Sequence, residues 1–196
     1  MPDYLLRTAS LPTWRQRAAL RVLHLFGWTL HFKPLPGPHG IAVVYPHTSN
    51  WDFIVGLVGK WAVGVPFRWL AKASLPARRR AAPNGSTRRL ADRINESESM
   101  WIAITPEGAR AHRPHWKSGF YHLALAANVP LALVAPDFGK KEIRVTDTLR
   151  LSGDVDADMA AIRAVYAGVT ALYPDQAATI VLAPPRAQGA PERRLG

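Results

Sequence analysis

The chain has 196 residues, a formal charge of +11 from 25 Lys and Arg against 14 Asp and Glu, and no cysteine. A chain of this length makes about one domain and buries roughly 70% of its unfolded surface, so it needs no covalent staple. The missing cysteines exclude disulfides, a thiol nucleophile and thiolate metal sites and fit a reducing compartment, while the excess of cations points to a polyanionic partner, nucleic acid or an anionic membrane leaflet.

From the N-terminus, Arg7, Arg15, Arg17 and Arg21 interrupt any apolar core of a signal peptide, so no cleaved leader is expected. Trp14, Ala18, Val22 and Leu25 recur at helical spacing, with Leu20, Leu23, Phe26 and Leu30 beside them and Arg17, Arg21 and His24 opposite. This predicts an amphipathic helix over about 11–30, which either packs its apolar face on the core or lies in a membrane interface. Pro34 to Pro38 reads as a loop. Ile41 to Tyr45, apolar and β-branched between Gly40 and Pro46, predicts a buried strand.

Ser49-Asn50-Trp51-Asp52 has the S-x-x-D form of a capping box, so a helix begins at Ser49 or Asn50 and runs from Trp51 to Gly64. His47 is thereby left in the turn and Asp52 in the first helical turn. Residues five apart on a continuous helix would not face each other, but the strand-turn-helix break lets the Asp52 carboxylate fold back to the His47 imidazole. The alternative is a plain helix cap beside an ordinary turn histidine. Phe53 to Gly59 is cut by Lys60, and its continuation by Arg68, so no stretch reaches the roughly 18 to 20 apolar residues that spanning a bilayer demands. A cytosolic protein is expected.

Further on, the pattern predicts a helix over Thr87 to Ser97, a strand over Trp101 to Thr105, a helix over Lys117 to Ala127, strands over Leu131 to Ala135 and Glu142 to Thr146, and a helix from Asp156 to Leu172 stopped by Pro174. Such alternation argues for an α/β fold with a central, mostly parallel sheet flanked by helices. A single domain is expected over 1–186. Ala183 to Gly196 reads as loose, with 187–196 a flexible basic tail. His112, His115 and His122 form no metal set, because Pro114 breaks a regular helix there and no carboxylate completes the ligands. No helix-turn-helix, zinc-finger or aromatic RNA-binding signature accompanies the charge, which makes nucleic acid the weaker of the two polyanions.

Two motifs taken together, His47-x4-Asp52 and Pro106-Glu107-Gly108-Ala109-Arg110, resemble the H-x4-D and P-E-G-T-R blocks of the glycerophosphate and lysophospholipid acyltransferase family. Trp116-Lys117-Ser118-Gly119-Phe120 is similar to that family's aromatic-K-x-G segment, and Asn128 to Val134 to its V-P-apolar strand. The resemblance spans about Gly40 to Asp137. Pro46 stands where members usually have Asn, Ala109 where they have Thr, and the block between Lys72 and Arg88 is shortened, with Arg80 its best-placed arginine. The resemblance implies a glycerol-3-phosphate acyltransferase-like fold, with His47 and Asp52 catalytic and the acceptor's phosphate bound around Arg110, Glu107, Gly108 and Arg80. It also implies no resident cofactor or metal, acyl-CoA or an acylated carrier protein as co-substrate, a lysophospholipid acceptor such as 1-acyl-sn-glycerol 3-phosphate, and a place on the inner face of the membrane.

The residues themselves suit such chemistry. A hydroxyl is a poor nucleophile near neutral pH, and His47 is the candidate base that takes its proton. Ser49 raises a covalent alternative, although its position assigns it to the cap. Backbone N–H groups around Glu107 and Gly108, or at the helix start, are candidate oxyanion donors. A carboxylate would repel phosphate, so Glu107 is expected to orient Arg110 or an acceptor hydroxyl, while Arg110 offers the paired donors that phosphate oxygens match. Two rivals use the same residues differently: a thioesterase or hydrolase directing the His/Asp base at water, and a non-catalytic basic protein that binds membrane or nucleic acid.

Overall fold

In the computed structural model, which describes residues 13–69, 83–108 and 112–184, the apolar runs become strands of one six-stranded sheet. The strands are β1 (Thr29–Phe32), β2 (His39–Val44), β3 (Phe67–Trp69), β4 (Met100–Ile104), β5 (Leu131–Asp137) and β6 (Glu142–Leu149). Between them run α1 (Trp14–Leu25), α2 (Asn50–Val63), α3 (Pro83–Glu96), α4 (Gly119–Ala127) and α5 (Val155–Tyr166). The sheet order is β1-β6-β5-β2-β4-β3, and every neighbouring pair is parallel except β5 and β6. Parallel neighbours need a crossover, which α2, α3 and α4 supply.

Helices cover both faces, and this is why β2 reads as a continuous apolar run rather than an alternating one. Ile41, Val43, Ile102, Leu131 and Leu133 pack on one side with residues of α3, α4 and α5. Ala42, Trp101, Ala103, Ala132, Ile143 and Val145 pack on the other with α1 and α2. Gly40 is paired in register with Trp101, whose indole lies across it, so that a Cβ at Gly40 would stand 2.3 Å from a ring carbon. The indole Nε1 of Trp101 donates to the Gly37 carbonyl at 3.1 Å.

Two expectations need correction. The N-terminal helix ends at Leu25 and not near residue 30, because Gly27 takes a left-handed conformation (φ 74°) and turns the chain into β1, where Leu30 pairs with Ile143. The last helix ends at Tyr166 and not Leu172: Gly168, at φ 73°, breaks it, and Pro174 opens a separate 3-10 turn over Pro174–Gln176. The short edge strands β1 and β3 were not foreseen. Each has no more than four residues, too few to show a period, and each is a strand because a neighbour offers it hydrogen bonds. Among the described residues no helix is long and apolar enough to cross a membrane.

Candidate active site at the carboxyl ends of the parallel strands

The site begins where β2 stops. The Tyr45–Pro46 peptide bond is cis, and the chain turns through His47 and Thr48 before Ser49 caps α2. Ser49 Oγ accepts the N–H of Trp51 at 3.0 Å and of Asp52 at 3.4 Å. Asp52 reaches back: its Oδ2 accepts the N–H of Thr48 and, at 2.7 Å, that of Ser49. The same Oδ2 stands 3.5 Å from Nδ1 of His47. The cap and the histidine partner are therefore one atom doing two jobs, and the two sequence readings of Asp52 are compatible. A separation of 3.5 Å is longer than a tight hydrogen bond, as is common for a catalytic pair before substrate binds. Asp52 is buried and His47 partly so. With Nδ1 turned to the carboxylate, Nε2 is the nitrogen left for a substrate proton. Ser49 Oγ also donates to Asp52 Oδ1 at 3.2 Å, so its hydroxyl is engaged in the cap.

The turn after β4 meets this one. Glu107 is 1% exposed, and its two oxygens are taken by main-chain donors: Oε2 by the N–H of His47 at 2.6 Å and Oε1 by the N–H of Ala178 at 2.9 Å. It thus pins the histidine turn to the turn after β4 and to the C-terminal stretch. Burial pushes its carboxyl above the usual range, against the pull of those two hydrogen bonds and the His47 charge. The sequence pointed Glu107 at Arg110 or an acceptor hydroxyl; in the structure its oxygens hold the backbone of His47 and Ala178. Gly108 follows at φ 66°, bonded to the Thr105 carbonyl at 3.1 Å. The Lys117 side chain lies over it, so that a Cβ there would come within 2.4 Å of Nζ. Arg110 and Arg80 lie outside the described residues.

A second ring of residues supports the turn. Tyr45 packs against Trp116 and Tyr166, with ring centroids 5.0 and 5.2 Å away. Its hydroxyl donates to the Ala178 carbonyl at 3.0 Å, and burial together with the Glu107 charge pushes its pKa up to about 12. The N–H of Tyr173 donates to Thr48 Oγ1 at 3.3 Å. Ala178 and Tyr173 were not legible in sequence, since they carry no motif and act here through the main chain. Among the described residues no three His, Cys, Asp or Glu side chains are grouped to hold a metal ion.

Beside the turn, α1 and α2 border an apolar groove of about 650 Å³ lined by Val22, Phe26, Trp51, Ile54, Val58 and Tyr173, among others. Its size falls within the range of small-ligand pockets, and apolar walls with few polar groups are their usual lining. Trp51 adjoins Asp52 in the chain and Tyr173 is tied to Thr48, so the groove and the His47 turn share a border. No known protein family, curated protein or solved structure matches the chain, and what the site does rests on its own geometry.

Proposed function

We propose that the protein is an O-acyltransferase that moves a fatty acyl group from an acyl thioester to the hydroxyl of a lysophospholipid, on a glycerol-3-phosphate acyltransferase-like fold. The observation that carries the reading is the buried Asp52 carboxylate facing Nδ1 of His47 at the end of a parallel strand, the place where open α/β sheets bind ligands. Nε2 of His47 takes the proton of the acceptor hydroxyl as its oxygen attacks the thioester carbonyl. The tetrahedral intermediate then expels the thiolate, which receives that proton from the imidazolium, and the ester is left. Asp52 holds the tautomer and stabilises the cation. Glu107 keeps the histidine backbone in place, and Lys117 sets a cation across Gly108. Arg110, two residues beyond Gly108, supplies the phosphate contact in this reading, and the apolar groove beside the turn suits an acyl chain.

The test is to incubate the protein with labelled acyl-CoA and a panel of lysolipids, with and without phosphate, and to separate acylated lipid from free fatty acid. Acylated lipid is expected, and His47→Ala should lower its formation by about 10²- to 10⁴-fold with little change in melting temperature. Free fatty acid alone would make the protein a thioesterase. Full transfer by His47→Ala would remove the mechanism.

A further inference from the structure

α1 carries two apolar strips, and the fold uses one. Ala19 and Leu23 are buried against the sheet layer. Trp14, Ala18, Val22 and Leu25, the strip picked out by helical spacing, all face outward, with Trp14 69% and Leu25 80% exposed. Phe26, just past the helix, is 65% exposed. α2 repeats the arrangement. Its inner side buries Val55, Gly59, Ala62 and Val63, while Ile54 and Trp61 stand outward with Leu57 between them, flanked by exposed Trp51 and Phe53. The helices lie side by side, Gln16 Nε2 donating to the Val63 carbonyl at 3.3 Å, so the two strips join into one surface along the groove. Exposed apolar side chains elsewhere, such as Leu125 and Val155, are scattered singly, which is ordinary; a concentration on one face is not.

Charge selects the occupant. α1 contributes Arg15, Arg17 and Arg21 and α2 contributes Lys60, while the one acid on either helix, Asp52, is buried. A second copy meeting this face about a twofold axis would set arginine against arginine. An anionic lipid surface meets both demands, because Trp, Phe and Leu enter the boundary between headgroups and acyl chains while Arg and Lys reach the phosphates. We infer that α1 and the outer side of α2 form one docking surface for an anionic lipid leaflet. α2, whose first turn holds Asp52, then lies on the bilayer, with the His47 turn and the groove opening at the lipid. The inference stands on the exposed face and holds whether or not the site transfers acyl groups.

Vesicle co-sedimentation tests it, using phosphatidylcholine alone and phosphatidylcholine mixed with phosphatidylglycerol. The protein should bind the mixed vesicles with a blue shift of tryptophan emission, and binding should fall as salt rises. Leu25→Glu with Phe26→Glu, and separately Trp61→Glu, should each lower the partition coefficient at least about tenfold, since apolar area leaves the lipid and an anion enters it. Arg17→Gln with Arg21→Gln leaves every apolar side chain in place and should weaken binding to the mixed vesicles alone. Leu125→Glu, on α4 across the sheet, should change nothing, and His47→Ala should bind as the parent does, which separates loss of docking from loss of chemistry. Undiminished binding by the α1 and α2 variants, an equal loss with Leu125→Glu, or equal binding to both vesicle types would overturn the inference. So would a solution dimer that Leu25→Glu dissociates, which would give the face to a second copy.

Discussion

Replacing Asp52 by asparagine separates the two jobs of its carboxylate. The amide oxygen can keep both main-chain bonds that Oδ2 now accepts from Thr48 and Ser49, and the amide NH2 can meet the Ser49 hydroxyl where Oδ1 now stands. The helix start therefore survives, with neutral hydrogen bonds in place of charge-assisted ones. Charge-assisted bonds contribute about 1.5–3 kcal/mol and neutral ones about 0.5–1.5 kcal/mol, so two weakened bonds cost about 2 kcal/mol. Removing a charge from a site that is 3% exposed offsets part of this. A net loss of about 1 kcal/mol lowers Tm by about 2–4 °C in a chain of this size. Asp52→Ala instead leaves two buried N–H groups without their acceptor, at about 1–3 kcal/mol each, and should lower Tm by about 4–24 °C. Activity should sort the variants differently. Neither side chain can stabilise the imidazolium, so the proposed acyl transfer should fall by about 10²- to 10⁴-fold in both. Calorimetry and the acyl-transfer assay on the same preparations give both readouts. Parent-level transfer by Asp52→Asn, or equal destabilisation by Asn and Ala, would refute the shared-oxygen account.

Two further outcomes follow from the same geometry. Because burial raises the Glu107 carboxyl, the folded protein holds that proton to higher pH than the unfolded chain does, so its stability should fall as pH climbs from the ordinary carboxylate value, about 4, through the raised folded value. Glu107→Gln cannot titrate, and the excess in Tm of the parent over this variant should narrow as pH climbs above the ordinary carboxylate value of about 4; a widening gap would contradict the assignment. Gly40→Ala would force a methyl to 2.3 Å from the buried Trp101 indole. Overpacking of this kind costs about 1–3 kcal/mol, and an unchanged denaturant midpoint would show that Trp101 can move aside.

The sequence by itself determined what local chemistry controls. The apolar runs of β2, β4 and β5 are legible because strands covered on both faces need nothing but apolar residues. The start of α2 is legible because Ser49 and Asp52 satisfy N–H groups only a few residues away, which also placed His47 and Asp52 as a pair. The tertiary structure decided whatever depends on distant chain. Periodicity groups Trp14, Ala18, Val22 and Leu25 into a strip, but α1 has two such strips, and packing of Ala19 and Leu23 on the sheet is what turned the first one outward. β1 and β3 exist because β6 and β4 lend them partners. Glu107 found its place through Ala178, 71 residues on, whose contribution is a main-chain N–H that every residue but proline possesses. A donor common to nearly all residues leaves no mark in a sequence, and only the folded chain reveals which one a buried carboxylate has chosen.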